Sequence, residues 1–104
     1  MAKKRKDGSV NAREFLEELV GPPTFGDMIN AIRLGEEMSL EAFATKLGIS
    51  RSRLCDIEKG RKGVSVSRAA EWARALGRSE SQFVRYALQD EVNNAGLKWR
   101  VQVA

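Results

Sequence analysis

The spacing of apolar residues along the chain predicts six short helices. Apolar side chains recur three and four positions apart within each of them, as Leu40, Phe43, Ala44 and Leu47 do, so each helix has one apolar face. Hydroxyl or amide residues precede these segments and glycines follow most of them, as is usual at helix ends. The fifth helix begins after Ser65 or Ser67. The predicted helices cover about residues 11–20, 24–35, 40–47, 51–59, 66–76 and 80–95.

The last residues of the chain follow a different pattern. Leu97, Trp99, Val101 and Val103 alternate with polar residues, which is the period of a β-strand. Because a lone strand leaves its backbone groups unpaired, we expect this tail to pair with the same tail of a second molecule or with the sheet edge of a partner protein. The four apolar residues are therefore the predicted dimer or partner interface, and packing onto their own domain is the alternative.

These patterns divide the chain around one small domain, which is what about 100 residues can support. Residues 1–8 have no apolar side chain beyond the start and are expected to be a disordered basic arm. Residues 9–23 hold an amphipathic helix and a proline linker. The main helical domain spans residues 24–96, and residues 97–104 form the predicted strand.

Composition excludes several classes of function. The chain has no histidine and a single cysteine, Cys55, so histidine-based catalysis, the usual zinc sites and an internal disulfide framework are excluded. No apolar run approaches the roughly 20 residues of a membrane span, and none follows the basic arm as a signal peptide requires. We expect a cytoplasmic protein that is not an enzyme and needs neither a cofactor nor a metal.

Charge is segregated along the chain, although the net charge is only +4. Residues 3–6 supply four positive charges, and could either reach the minor groove of DNA or be a solvated terminus. Residues 7–49 hold three basic and eight acidic side chains, for −5, whereas residues 50–62 hold five and two, for +3. The basic middle suggests a polyanion as partner. The acidic helix 11–20 suggests a protein partner.

The basic middle lies where two short predicted helices meet across a tight turn. Ala44 is small where the helices approach, and Gly48 can adopt the left-handed conformation of the turn. The second helix begins with Arg51, Ser52 and Arg53 on its outer side. Since an arginine can donate two hydrogen bonds to guanine, such a helix suits the major groove of DNA.

At these residues the chain resembles the Cro and phage-repressor helix-turn-helix proteins, the XRE family. The resemblance runs from Ile32 to Gly77. It implies an all-α, lambda-repressor-like bundle of five to six helices that binds operator DNA as a homodimer. The matching segments are Ser39-Leu40-Glu41-Ala42-Phe43-Ala44, Leu47-Gly48-Ile49-Ser50, Ile57-Glu58-Lys59-Gly60-Arg61 and Ala73-Arg74-Ala75-Leu76-Gly77.

The resemblance also implies roles for single residues. Arg33 and Glu58 would form a structural ion pair between two helices. Base edges would be read by Arg51, Ser52 and Asp56. Phosphates would be contacted by Arg53, Lys59, Arg61 and Lys62, and by the helix N-termini at Ser39 and Ser50.

Two positions depart from the family pattern. Leu40 stands where the family commonly has a glutamine that contacts phosphate, and a leucine cannot make that contact. Asp56 can accept a hydrogen bond from cytosine, but it repels phosphate, so it could instead hold Arg53 or Lys59 in place.

Two functions fit this sequence. The first is a sequence-specific repressor that binds two half-sites as a dimer. The second is an antitoxin of the HigA type, which would also neutralise a RelE/HigB-like ribonuclease, with the acidic helix 11–20 covering the basic cleft of the toxin. RNA binding is disfavoured because aromatic stacking platforms are missing.

Overall fold

The computed structural model describes residues 23–103. The predicted helix 11–20 and the basic arm 1–8 lie outside these residues. The described part contains five helices and is all-α, as the sequence predicted. They are α1 (Phe25–Gly35), α2 (Leu40–Leu47), α3 (Arg51–Glu58), α4 (Val66–Leu76) and α5 (Glu80–Asn94).

Each of the five helices begins after a hydroxyl residue. The side-chain oxygen accepts a hydrogen bond from the backbone N–H three residues later, which satisfies one of the N–H groups that a helix start leaves unpaired. At α1 the arrangement is reciprocal, because the Asp27 carboxylate also accepts from the Thr24 backbone N–H at 3.0 Å. The capping residues are Thr24, Ser39, Ser50, Ser65 and Ser79.

The turn after α1 places a non-glycine residue in the left-handed conformation. Gly35 is the last helical residue, and the left-handed conformation falls on Glu37, with φ of 54°. Hydrogen bonds from the backbone N–H of Glu37 and Met38 to the Leu34 and Arg33 carbonyl oxygens hold this turn. The chain then enters α2 directly.

The core lies between all five helices and is built around three aromatic rings. Phe25 of α1 packs edge-on against Phe83 of α5, with ring centroids 5.9 Å apart, and is tilted against Trp72 of α4 at 6.3 Å. Aromatic pairs of this geometry add to the energy of burial. The remaining buried apolar side chains are Ile29, Phe43, Ala44, Leu47, Leu54, Ile57, Ala69, Ala73 and Ala87.

The predicted strand is not seen in residues 97–103. The tail follows α5, and the side chain of Gln89 on α5 bonds to the tail backbone. The Gln89 amide donates to the Trp99 carbonyl oxygen at 2.8 Å and accepts from the Val101 N–H at 2.8 Å. A strand needs a second strand for its ladder, and residues 23–103 of a single chain supply none.

Among the helices of the described part, none is both long enough and apolar enough to cross a membrane.

Candidate nucleic-acid interface

A sharp turn joins α2 to α3. Gly48 has a φ of 74°, and the Ile49 N–H donates to the Ala44 carbonyl oxygen at 3.0 Å. Ser50 follows at once as the N-cap of α3, accepting from the Arg53 N–H at 3.1 Å. The two helices are therefore fixed relative to each other by three consecutive residues, as a helix-turn-helix motif requires.

Helix α3 has a buried side and an exposed side. Leu54 and Ile57 are 0% and 2% exposed. Arg51, Ser52 and Arg53, at the start of the helix, are all exposed. Within residues 23–103, the side chains of Arg51 and Arg53 make no hydrogen bond or ion pair. The first turn of α3 thus presents two cations that are available to an anionic partner.

The buried side of α3 is tied to α1 by an ion pair. Arg33 Nε lies 2.8 Å from Glu58 Oε2 and Arg33 Nη2 lies 3.1 Å from Oε1, so the pair is bidentate. The two side chains are only 13% and 6% exposed. The hydrogen bond with Glu58 raises the pKa of Arg33 above its ordinary value. Two parallel hydrogen bonds between charged groups give this pair both strength and a fixed geometry.

Two further contacts complete this α1–α3 brace. Asn30 Nδ2 donates to Glu58 Oε1 at 2.8 Å, and Arg33 Nη1 donates to the Met38 carbonyl oxygen at 3.0 Å. Asn30 was missed in the sequence. Its only signal is its place one helical turn before Arg33 on the same face of α1. The brace fixes the C-terminal end of α3, and therefore the direction in which the helix presents its first turn.

Asp56 has a different partner from either of those expected. Its Oδ1 accepts from Arg61 Nη1 at 3.1 Å, whereas neither Arg53 nor Lys59 pairs with it. The reason is the turn after α3, in which the Asp56 carbonyl oxygen accepts from the backbone N–H of Arg61 at 2.8 Å and of Lys62 at 3.3 Å. The turn brings Arg61 back over the helix end. Because Arg61 is 60% exposed, this ion pair contributes little to stability.

The other predicted contact residues lie around the same surface. Lys59 and Lys62 are exposed and form no ion pair within the described residues. The hydroxyl of Ser39 accepts from the Ala42 N–H at 3.1 Å at the start of α2. We call the following set the α3 surface: Ser39, Ser50, Arg51, Ser52, Arg53, Asp56, Lys59, Arg61 and Lys62.

Leu40 and Cys55 lie beside this surface without adding a charge to it. Leu40 is half-buried and packs against the core, which accounts for an apolar residue at a position where a glutamine would reach outward. Cys55 is a half-buried free thiol. The described part of the chain contains no group of three acidic, cysteine or histidine side chains that could hold a metal ion.

A comparison with protein families agrees with this geometry. The family model described as helix-turn-helix matches residues 29–83, which is more than half of the chain. The chain therefore belongs to the helix-turn-helix family of the XRE type, a family of DNA-binding regulators. Comparisons with curated proteins and with solved structures gave no match.

Proposed function

We propose that the protein is a transcriptional repressor that binds an operator as a homodimer. The observation that carries the proposal is that α3 is braced on one side and exposed on the other. One side is locked to α1 through Arg33 and Glu58, and the other presents Arg51 and Arg53 without internal partners. A rigid helix with unpaired arginines on its first turn is suited to the major groove, where an arginine can donate to guanine O6 and N7.

Each part of the α3 surface has its own role in this proposal. Arg51, Ser52 and Asp56 read base edges. Phosphates are contacted by the residues around them, which set register and salt dependence but carry no sequence information. The exposed pair of Asp56 and Arg61 separates easily, so Arg61 can move to a phosphate while Asp56 accepts from a cytosine. The phosphate set is Ser39, Ser50, Arg53, Lys59, Arg61 and Lys62.

The C-terminal tail is the proposed dimer contact. The Gln89 side chain bonds to the backbone of Trp99 and Val101. In an extended chain the backbone polar groups of these two residues point to the same edge. The opposite edge, at Lys98, Arg100 and Gln102, has no backbone hydrogen bond within residues 23–103. A second copy can pair with this edge, and two copies present α3 to half-sites about 34 Å apart. Occupation of such a site blocks a promoter without any catalytic step.

Selection of bound duplexes from a random pool, combined with the mass of the complex, tests this function. We expect a pseudo-palindromic site whose half-sites are about one helical turn apart, bound by two chains. Failure to enrich any sequence, or enrichment of a single half-site by one chain, contradicts the proposal. A repressor of this kind acts in the cytoplasm on the nucleoid, where its operator lies.

The second candidate function is that of an antitoxin. The observation that favours it is the exposed apolar tail, in which Trp99 is 67% exposed, together with the acidic segment 11–20. Both are features that DNA contact does not use. The protein would then repress its own operon and bind a basic RelE/HigB-like ribonuclease. Co-expression with the product of the neighbouring gene decides this, since the idea fails if no complex forms and toxicity persists.

A further inference from the structure

The C-terminal tail has an apolar face that the described chain leaves uncovered. Trp99 is 67% exposed, and Leu97 and Val103 are 40% exposed each. The backbone that carries them is nevertheless held in place, because Gln89 bonds to it on both sides of Arg100. Apolar side chains grouped on a fixed backbone in this way mark a surface that another element packs against.

Pairing of two tails does not cover this face. A strand that pairs through its edge still presents its side chains above and below the ribbon, and odd and even positions face opposite ways. Residues 97, 99, 101 and 103 therefore stay together on one face of the proposed dimer ribbon. A two-stranded ribbon becomes stable when a helix packs on its apolar face.

We infer that residues 11–20 of the same chain form that helix and cover the apolar face of the tail. This deepens the proposed dimer, on which it rests for the ribbon. The segment carries a matching apolar stripe at helical spacing, with the other face polar. The stripe consists of Phe15, Leu16, Leu19 and Val20.

The start of α1 lies beside the part of α5 that holds the tail, which supports a covering helix from the same chain. The Phe25 N–H, near that start, donates to both carboxylate oxygens of Asp90 at 3.3 Å. Asp90 is the direct neighbour of Gln89, which holds the tail. Five residues lead from Val20 to Phe25 and span at most about 18 Å. The segment is therefore tethered close to its own tail.

The net charges of the two segments also favour a contact between them. The segment 11–20 has three glutamates and one arginine, for a net charge of −2. The tail 97–103 has Lys98 and Arg100, for a net charge of +2, and neither of them forms an ion pair within the described residues. Opposite net charges favour the encounter of the two elements, whereas two tails alone would bring like charges together.

Acrylamide quenching of tryptophan fluorescence tests the inference on the full chain. Trp72 is only 4% exposed and is shielded in the core, and the Trp99→Phe variant gives its contribution for subtraction. We expect Trp99 to be shielded in the parent protein. The double variant Leu16→Gln, Leu19→Gln should raise the quenching constant of Trp99 severalfold. An accessible Trp99 in the parent, or unchanged shielding in the double variant, overturns the inference.

A matched control changes the opposite face of the same segment. The double variant Glu14→Gln, Glu18→Gln should leave the shielding of Trp99 unchanged at about 1 M salt, where charge effects are screened within about 3 Å. Shielding lost equally in the control and in the Leu16, Leu19 variant overturns the apolar contact.

Mixing two variants shows whether the helix that covers Trp99 comes from the same chain or from a second copy. The Leu16→Gln, Leu19→Gln chain is mixed with a Trp99→Phe chain, which keeps the segment intact. We expect Trp99 to remain quenchable, and restored shielding contradicts the assignment to the same chain. DNA binding is measured on the parent protein in parallel. Absent binding with a shielded Trp99 in the parent counts against the proposed function alone, and DNA binding by a parent with an exposed Trp99 counts against this inference alone.

Discussion

Each side of α3 carries an arginine–carboxylate ion pair, and the two pairs differ in geometry and in exposure. On the inner side, Arg33 and Glu58 form a bidentate pair that is 13% and 6% exposed and is reinforced by Asn30. On the outer side, Arg61 and Asp56 form a single contact at 3.1 Å and are 60% and 27% exposed. The inner pair is part of the fold. The outer pair is loose enough to exchange its partner for DNA.

The largest expected difference between the two sides is in stability. Glu58→Ala leaves Arg33 and Asn30 without their acceptor in a region that water barely reaches, and should cost about 3 kcal/mol of unfolding free energy. Asp56→Ala is the matched control and should cost less than about 1 kcal/mol, because its pair is exposed. Urea unfolding of both variants measures the difference. Equal losses would show that the inner pair is no more important than the outer one.

A second prediction tests how closely α1 approaches α3. A Cβ on the buried Gly26 would overlap the backbone carbonyl oxygen of Ile57, so the two helices must separate to admit it. Gly26→Ala should therefore cost about 1–3 kcal/mol. Gly35→Ala is a control on the same helix, since nothing lies within 4 Å of its Cβ, and it should be neutral or stabilising. Thermal unfolding that ranks the two variants the other way contradicts the close approach.

The smallest predicted effect concerns pH and the start of α1. Burial raises the pKa of Asp90, although the hydrogen bond from the Phe25 N–H opposes this. A raised pKa means that the folded protein binds the proton more tightly, so stability falls as pH rises through that pKa. Asp90→Asn keeps an acceptor for Phe25 and should be more stable than the parent at pH 7, with a gain that shrinks in acid. Unfolding curves from pH 3 to 7 check this, with the exposed Glu91→Gln as control. A gain that grows in acid has the wrong sign.

Much of the fold could be predicted because its signals are local. The positions of the five described helices follow from serine or threonine caps and from apolar spacing within a few residues, as at Ser50 and α3. The surface that carries Arg51 and Arg53 follows from the same spacing, since Leu54 and Ile57 fix which side is buried. The choice between Ser65 and Ser67 was decided in the structure, where Ser65 accepts from the Arg68 N–H.

What could not be predicted depends on contacts between distant residues. Asn30 meets Glu58 across 28 positions, and Asp90 meets Phe25 across 65. In the sequence Gln89 is an ordinary polar helix residue, and only the folded structure shows that it bonds to the tail. The partner of Asp56 depended on the path of the turn after α3. No local pattern encodes the contacts of Asn30, Asp90 and Gln89. The alternative that Asp56 holds Arg53 or Lys59 was wrong because the turn brings Arg61 to Asp56 instead.

The central claim is that the first turn of α3 reads DNA, and the affinity of Arg51→Ala for the selected operator tests it most directly. The control is Arg74→Ala, which removes the same charge from an exposed arginine that pairs with Glu80 at 2.8 Å and is not among the residues of the α3 surface. Arg51→Ala should lose about 1–3 kcal/mol of binding free energy and relax the sequence preference in each half-site. Arg74→Ala should bind as the parent does. Unchanged affinity and unchanged preference in Arg51→Ala would contradict the placement of α3 in the groove.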